Sequence, residues 1–118
     1  MSYGRASAKL SEGIEAMATS AQPIQQRLAL AYMFHLASLE PDELPLEVES
    51  QFKELKDKLT RISGSGIGAI VATTNAMSVQ DAVGIAKELV HISHRVDAEL
   101  RRVELLDQRV SLAVRRHT

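Results

Sequence analysis

One glutamate and one histidine on a single helical turn form the best metal-binding candidate in this sequence. Glu88 and His91 have the Glu-x-x-His spacing that supplies two ligands from one helical turn in di-iron bundles. Such a site needs a second copy of the motif, and the residue three positions before His35 is Tyr32. His91 and His94 both fall on the outer side of the predicted helix. We therefore expect surface histidines and no bound cofactor, and a metal-binding bundle is the third of three functional alternatives.

Two further motifs resemble sites of chemistry without meeting their requirements. Residues 64–69 approach the G-x-G-x-x-A pattern, but the Rossmann form of that loop follows a strand, whereas an amphipathic helix precedes this one. No Lys-Ser or Lys-Thr pair follows it, as a Walker A loop requires. Ser93-His94-Arg95 carries Arg95 where the phospho-acceptor box of a histidine kinase has an acid. We expect a helix-terminating linker near residue 64, and we predict no catalytic residue and no enzymatic activity.

Composition excludes several classes of protein. The 118 residues carry fourteen basic and fifteen acidic side chains, so the net charge of −1 rules out binding by bulk positive charge. With no cysteine, the chain has no disulfide scaffold, no thiolate metal site and no cysteine nucleophile. Its longest apolar stretch is twelve residues, 28–39, and a membrane span needs about 20. No signal peptide is visible at the start, so we expect a soluble, cytoplasmic protein with no membrane contact.

Apolar periodicity predicts an all-α fold, a bundle of about five helices in one domain over residues 1–118. The expected helices are 7–18, 23–39, 45–62, 67–77 and 79–116. The third has core positions spaced by four and three residues, at Val48, Phe52, Leu55, Leu59 and Ile62. Residues 70–74 have strand propensity, but a lone strand would have no partner, so we predict a helix there. We expect no internal repeat and no domain boundary.

The last helix is too long for the domain that carries it. Ser78 is its predicted N-cap, with Asp81 as the capping carboxylate. At 1.5 Å per residue, a helix over 79–116 measures roughly 57 Å, against about 35 Å for a compact domain of this length. An apolar stripe continues through the overhanging end, at Ile85, Leu89, Ile92, Val96, Leu100, Val103, Leu106, Val110 and Ala113. The pattern favours coiled-coil-like association with a second protein surface.

A second apolar track follows the opposite side of this helix. Ala98, Leu105 and Leu112 recur every seven residues, about 140–175° from the main stripe. Two apolar sides suggest two neighbours, although single exposed leucines are common on protein surfaces. Asp107 interrupts the main stripe, where a polar residue can specify the register or the number of paired helices.

Basic side chains are concentrated on the back of the same helix. The ridge consists of Lys87, Arg101, Arg109 and Arg116, joined by His91 and His94 and flanked by Arg102 and Arg115. Residues 40–49 hold five acids and no base. This distribution complements the dipoles of the helices, and it also suits an acidic partner or nucleic acid. Because apolar residues are interleaved with the ridge, a protein partner is favoured over phosphates.

Three stretches mark a resemblance: residues 22–28, Glu43-Leu44-Pro45, and Ala76-Met77-Ser78 with the residues that follow to 86. They resemble small, uncharacterised, all-helical bacterial proteins over residues 10–96. The resemblance implies no activity, and it ends before the arginine-rich C-terminal extension. We therefore expect a non-enzymatic interaction module that self-associates or docks on a protein partner through its last helix. A nucleic-acid-binding regulator is the alternative.

Overall fold

The described residues form five α-helices. A computed structural model describes residues 3–62 and 67–116, and these residues contain no strand. The all-α fold with a long C-terminal helix is therefore confirmed. The helices are α1 Gly4–Thr19, α2 Ile24–Ala31, α3 Leu46–Leu59, α4 Ile67–Asn75 and α5 Val79–Arg116.

The predicted helix 23–39 is interrupted near its C-terminal end. The α-helical pattern stops at Ala31 and continues as a single π-helical turn over Tyr32–Leu36, closed by the Ala37 N–H donating to the Tyr32 carbonyl at 2.8 Å. The expectation of regular helix to residue 39 was therefore wrong. Glu40 is extended, as a residue before proline must be. A 3-10 turn at Pro41–Glu43 then leads into α3.

Other helix ends differ from the predicted ones by a few residues. α3 stops at Leu59 because Thr60 leaves the helical conformation, and its hydroxyl bonds back to the Lys56 carbonyl. The chain after Thr60 turns Ile62 outward to 37% exposure, so placing Ile62 in the core was wrong. α1 begins earlier than expected, at Gly4, and α4 ends two residues earlier, at Asn75. Residues 70–74 are helical, as preferred; the linker expected near residue 64 lies outside the described residues.

The core is mainly aliphatic and includes two aromatic rings, Tyr32 and Phe52. Phe52, Leu55 and Leu59 of α3 are buried together with Leu10 and Leu28 from the first two helices. α3 runs antiparallel to α5, because its start lies beside Arg102 and its end beside Glu88, where Lys58 Nζ is 2.9 Å from the Glu88 carboxylate. Two buried hydroxyls, Thr73 and Thr74, donate to carbonyls of their own helix, so they cost little.

α5 extends beyond the rest of the molecule. The molecule measures 61 × 27 × 20 Å, which is the shape of a bundle with a projecting rod. Val96 is the last fully buried residue of α5, Leu100 and Val103 are half-buried, and every residue from 104 to 116 is exposed. We call α1–α4 with α5 up to Leu100 the body, and residues 101–116 the distal segment. The Ser78 hydroxyl accepts the Asp81 N–H at 3.0 Å, so the predicted N-cap of α5 is present.

Candidate interaction surface

The distal segment carries five large aliphatic side chains in contact with solvent. Their exposed fractions run from 45% to 62%, at Leu105, Leu106, Val110, Leu112 and Val114. Exposed single leucines are ordinary, but five large aliphatic side chains within ten residues are an unusual concentration of exposed apolar surface. In the body the same helix has its apolar side covered by α1, α2 and α3. The distal segment therefore has a surface of the kind that the body buries.

These side chains divide between two sides of the helix. At about 100° per residue, Val103, Leu106 and Val110 continue the side that is buried in the body. Leu106 lies five full turns after Glu88, the residue that bonds to Lys58 of α3, so this side faces along the α3 side of the body. Leu105 and Leu112 lie on the opposite side. We call the first side the seam face and the second the back face.

Val114 belongs to the seam face although the sequence reasoning missed it. It comes five turns after the buried Val96 and points in the same direction. The predicted stripe instead included Ala113, whose side chain is smaller. The signal that could have found Val114 is the 18-residue interval between two residues on the same side of a helix.

Three consecutive heptads run through the end of α5. Residues 96–102, 103–109 and 110–116 each begin with valine, at Val96, Val103 and Val110. Each ends with arginine, and each has Ala98, Leu105 or Leu112 at its third position. An exact seven-residue recurrence is typical of helices that pair along their length. Comparing the chain with itself at a shift of seven would have revealed it.

Arginines form a column along α5 that starts beside the seam face and reaches the back face at Arg116. The column consists of Arg95, Arg102, Arg109 and Arg116, at intervals of seven residues, and only Arg95 was absent from the predicted basic surface. Arg102 is paired with Glu99, which raises the pKa of Arg102 and lowers the pKa of Glu99. Glu47 at the start of α3 adds to the effect on Arg102. Arg102, at the end of the column nearest the body, thus already has acidic neighbours in the body.

The predicted basic ridge is exposed along one helix. Lys87, His91 and His94 lie on the body, whereas Arg109 and Arg116 lie on the distal segment. Arg101 donates from Nε to the carbonyl of Asp97 at 3.4 Å. Arg115 is at the end of the helix and is exposed. All residues of the ridge therefore belong to α5, and they form a narrow line of positive charge along this one helix.

Asp107 is exposed and lies on the seam face, about 20° around the helix from the direction of Val96. It interrupts the apolar side chains of this face, where a polar residue can specify the register of paired helices.

The metal-binding candidates are not brought together with other ligands. The Glu88 carboxylate accepts a hydrogen bond from Lys58, and His91 and His94 are exposed. Across residues 3–62 and 67–116, no three histidine, aspartate or glutamate side chains are grouped so that they could hold a metal ion.

We compared the chain with known protein families, curated proteins and solved structures. No known family matches the chain, and neither the curated proteins nor the solved structures include a significant match. Within the described part of the chain, no helix has the length and apolar character needed to cross a membrane.

Proposed function

We propose that this chain is a non-enzymatic helical interaction module and that the distal segment of α5 is its binding surface. The observation that carries the proposal is the exposure of Leu106, Val110 and Val114 on a helix whose equivalent side is buried throughout the body. The heptad recurrence of Val96, Val103 and Val110 supports helix pairing as the form of contact.

A second copy of the chain is the partner that this surface fits best. Burying a large aliphatic side chain fully is worth about 1.5–3 kcal/mol, so covering one that is half exposed is worth about 1 kcal/mol. Two copies together contribute eight such residues, from Val103, Leu106, Val110 and Val114, and hence about 8 kcal/mol. This lies within the range of about 4–15 kcal/mol that association costs. The gain exceeds the smallest of these costs by about 4 kcal/mol, so we expect concentration-dependent association of about millimolar affinity or weaker.

Light scattering across protein concentration tests the proposal. The native chain should pass from monomer to dimer mass as its concentration rises, and Val110→Asp should keep it monomeric at all of these concentrations. Val79→Asp is the matched control, because Val79 is a valine of the same helix with similar exposure, 59% against 62%, at the opposite end. A native chain that stays monomeric throughout would contradict self-association.

The back face defines a second variant for the same measurement. Leu105→Asp and Leu112→Asp place charge opposite the seam face, and Ala98 lies on the same side, in the body. If the back face binds another neighbour, these variants lower the largest mass observed and leave the dimer intact. If they abolish the dimer, the seam face is not the contact that forms it.

Nucleic acid is the second candidate partner, favoured by the arginine column and the basic ridge. The residues that would contact phosphates are Lys87, Arg101, Arg102, Arg109, Arg115 and Arg116. Binding through them would weaken steeply with salt, because each phosphate contact releases a counterion. A mobility-shift titration of duplex DNA tests this candidate: no shift at low salt excludes it. A shift that persists in Arg109→Gln/Arg116→Gln excludes Arg109 and Arg116 as the contact.

A further inference from the structure

We propose that two copies pair antiparallel through their seam faces, about an axis at Gln108, so that the arginine-bearing end of each α5 lies against the start of α3 in its partner. The inference rests on the proposed function, and it adds which partner is bound and in which direction. Two independent features of the chain, its heptad register and the position of α3, lead to the same arrangement.

The register follows from the heptad positions of the distal segment. In paired helices the first and fourth heptad positions face the partner. An axis at Gln108 sets Leu106 against the partner's Val110 and Val103 against the partner's Ala113. Each first heptad position thus meets a fourth position, and both residues of each pair are apolar.

The same register brings the end of each helix to the body of its partner. Leu100, where the body ends, becomes level with the partner's Arg116. At this level, on the flank of α5 next to the seam face, lies the start of α3, since Pro45, Glu47 and Val48 line a groove with Ala98, Glu99 and Arg102. α3 runs antiparallel to α5, so the partner's distal segment would continue the line of α3. The two helices would meet end to end, with their dipoles in the same direction.

Charge and exposure at the start of α3 suit this occupant. Leu46, its first residue, is 82% exposed, the highest value among the large apolar side chains of the described residues. Asp42 and Glu47 beside it are exposed acids. The partner's helix end carries Val114 and Arg116, which are an apolar and a basic side chain. Leu46, with two acids beside it, would thus meet the partner's Val114 and the partner's Arg116.

A parallel pair is the competing arrangement, and flanking charges favour it. It would set Arg102 near the partner's Asp107, whereas the antiparallel pair brings two Arg109 side chains near the axis. However, the α5 helix of a parallel partner would lie about 8–10 Å from this α5 on the seam side. From Leu100 towards the start of the helix, it would run through the space beside the body. α3 already occupies that position. Repulsion between solvated arginines is small and screened by salt, whereas two helices cannot share one volume.

Disulfide trapping between single-cysteine variants tests the direction of pairing, because the native chain contains no cysteine. Val103→Cys and Ala113→Cys are prepared separately and oxidised with oxidised glutathione, alone and mixed. The antiparallel pair predicts that the mixture forms cross-linked dimer at least about tenfold faster than either variant alone. Phe34→Cys, at a 70% exposed position on the body, measures cross-linking by random collision.

The outcomes separate this inference from the proposed function. Equally fast cross-linking of each variant alone indicates a parallel pair and overturns the inference. Cross-linking no faster than that of Phe34→Cys, while light scattering still shows a dimer, overturns it as well and leaves self-association standing. A chain that is monomeric by light scattering removes the proposed self-association and this arrangement together.

A charge exchange tests the contact with α3. Arg116→Glu should weaken the dimer about two- to fivefold at low salt, and adding Glu47→Lys in the same chain should restore it. Lys87→Glu is the control, because Lys87 is an exposed base of the body that lies about 20 Å along α5 from Leu100. Equal weakening by Arg116→Glu and Lys87→Glu, without rescue by Glu47→Lys, would show that the helix end does not reach the start of α3.

Discussion

The hydroxyl of Ser7 donates a hydrogen bond to the carboxylate of Asp97 at 2.6 Å, which joins the first turn of α1 to α5 across 90 residues of sequence. Asp97 directly follows Val96, the last fully buried residue of α5. The bond therefore lies near the end of the body, one turn before the distal segment begins. Residues on its two sides should respond differently to mutation: those in the body through stability, those in the distal segment through association.

Removing this hydrogen bond should destabilise the body. We expect Ser7→Ala to lower the free energy of unfolding by about 1–2 kcal/mol, because the bond has a charged acceptor and is partly buried. Asp97→Asn should cost a similar amount, and the double variant should cost less than the sum, since both changes remove one interaction. Urea unfolding of all four chains measures the coupling. Strict additivity would mean that the bond contributes nothing.

Deleting residues 107–118 should abolish self-association and leave the body folded. The deletion removes ten of the 38 residues of α5, namely 107–116, and none of the buried side chains. Circular dichroism should retain most of the helical signal, and light scattering should give a monomer. Thermal unfolding below the association concentration should be unchanged within about 2 °C. A truncated chain that still dimerises would place the contact on the body.

Glycine-to-alanine changes at two helix positions should differ in effect. Gly84 lies exposed in α5 with open space around an added methyl group, so Gly84→Ala should stabilise the body by about 1 kcal/mol through helix propensity. At Gly13 the added carbon would lie 3.4 Å from Cδ2 of Leu36. Gly13→Ala should therefore gain less than Gly84→Ala. Urea unfolding compares the two, and an equal gain would mean that Leu36 moves away without cost.

Acid should weaken the fold in part through Glu43. The Glu40 N–H donates to Glu43 Oε2 at 2.7 Å, and Arg5 pairs with the same carboxylate; together they hold the pKa of Glu43 below its usual 4.5. A lowered folded-state pKa gives stability that is present above the unfolded pKa and is lost as the pH falls through the folded value. The loss attributable to Glu43 therefore occurs below about pH 4.5.

Glu43→Gln checks this assignment. The variant should be less stable than the native chain at neutral pH, and the difference should shrink as the pH is lowered through this range. Asp42→Asn removes one negative charge from the same turn and controls for net charge. An NMR titration of the Glu43 carboxyl measures its pKa directly, and a value at or above 4.5 would contradict the prediction.

Periodicity predicted the features of the fold that depend on one helix at a time. The bounds of α5, the Ser78 cap and the buried positions from Val48 to Leu59 follow from spacing that each helix carries within itself. Features that depend on contacts between helices could not be predicted in this way. The π-helical turn at Tyr32–Leu36 and the outward turn of Ile62 have no periodic signature.

The candidate surface was predicted in part for the same reason. The exposed positions of Leu105 and Leu112 followed from their angle on one helix. The seam face begins next to the start of α3 because α3 packs antiparallel against α5. The local sequence of neither helix encodes that packing. The link between Glu47 and Arg102, 55 positions apart, became visible only in three dimensions.

The projecting rod of α5 also governs how the molecule moves through solvent. Its radius of gyration is 16.9 Å, against about 13.5 Å for a compact chain of this length. A single copy therefore tumbles anisotropically, slower end over end than about its long axis, and encounters more friction than its mass implies. Backbone amides of α5, which lie along the long axis, should relax differently from those of helices that cross it. An antiparallel pair would lengthen the particle further, so that dimerisation changes rotational diffusion more than it changes mass.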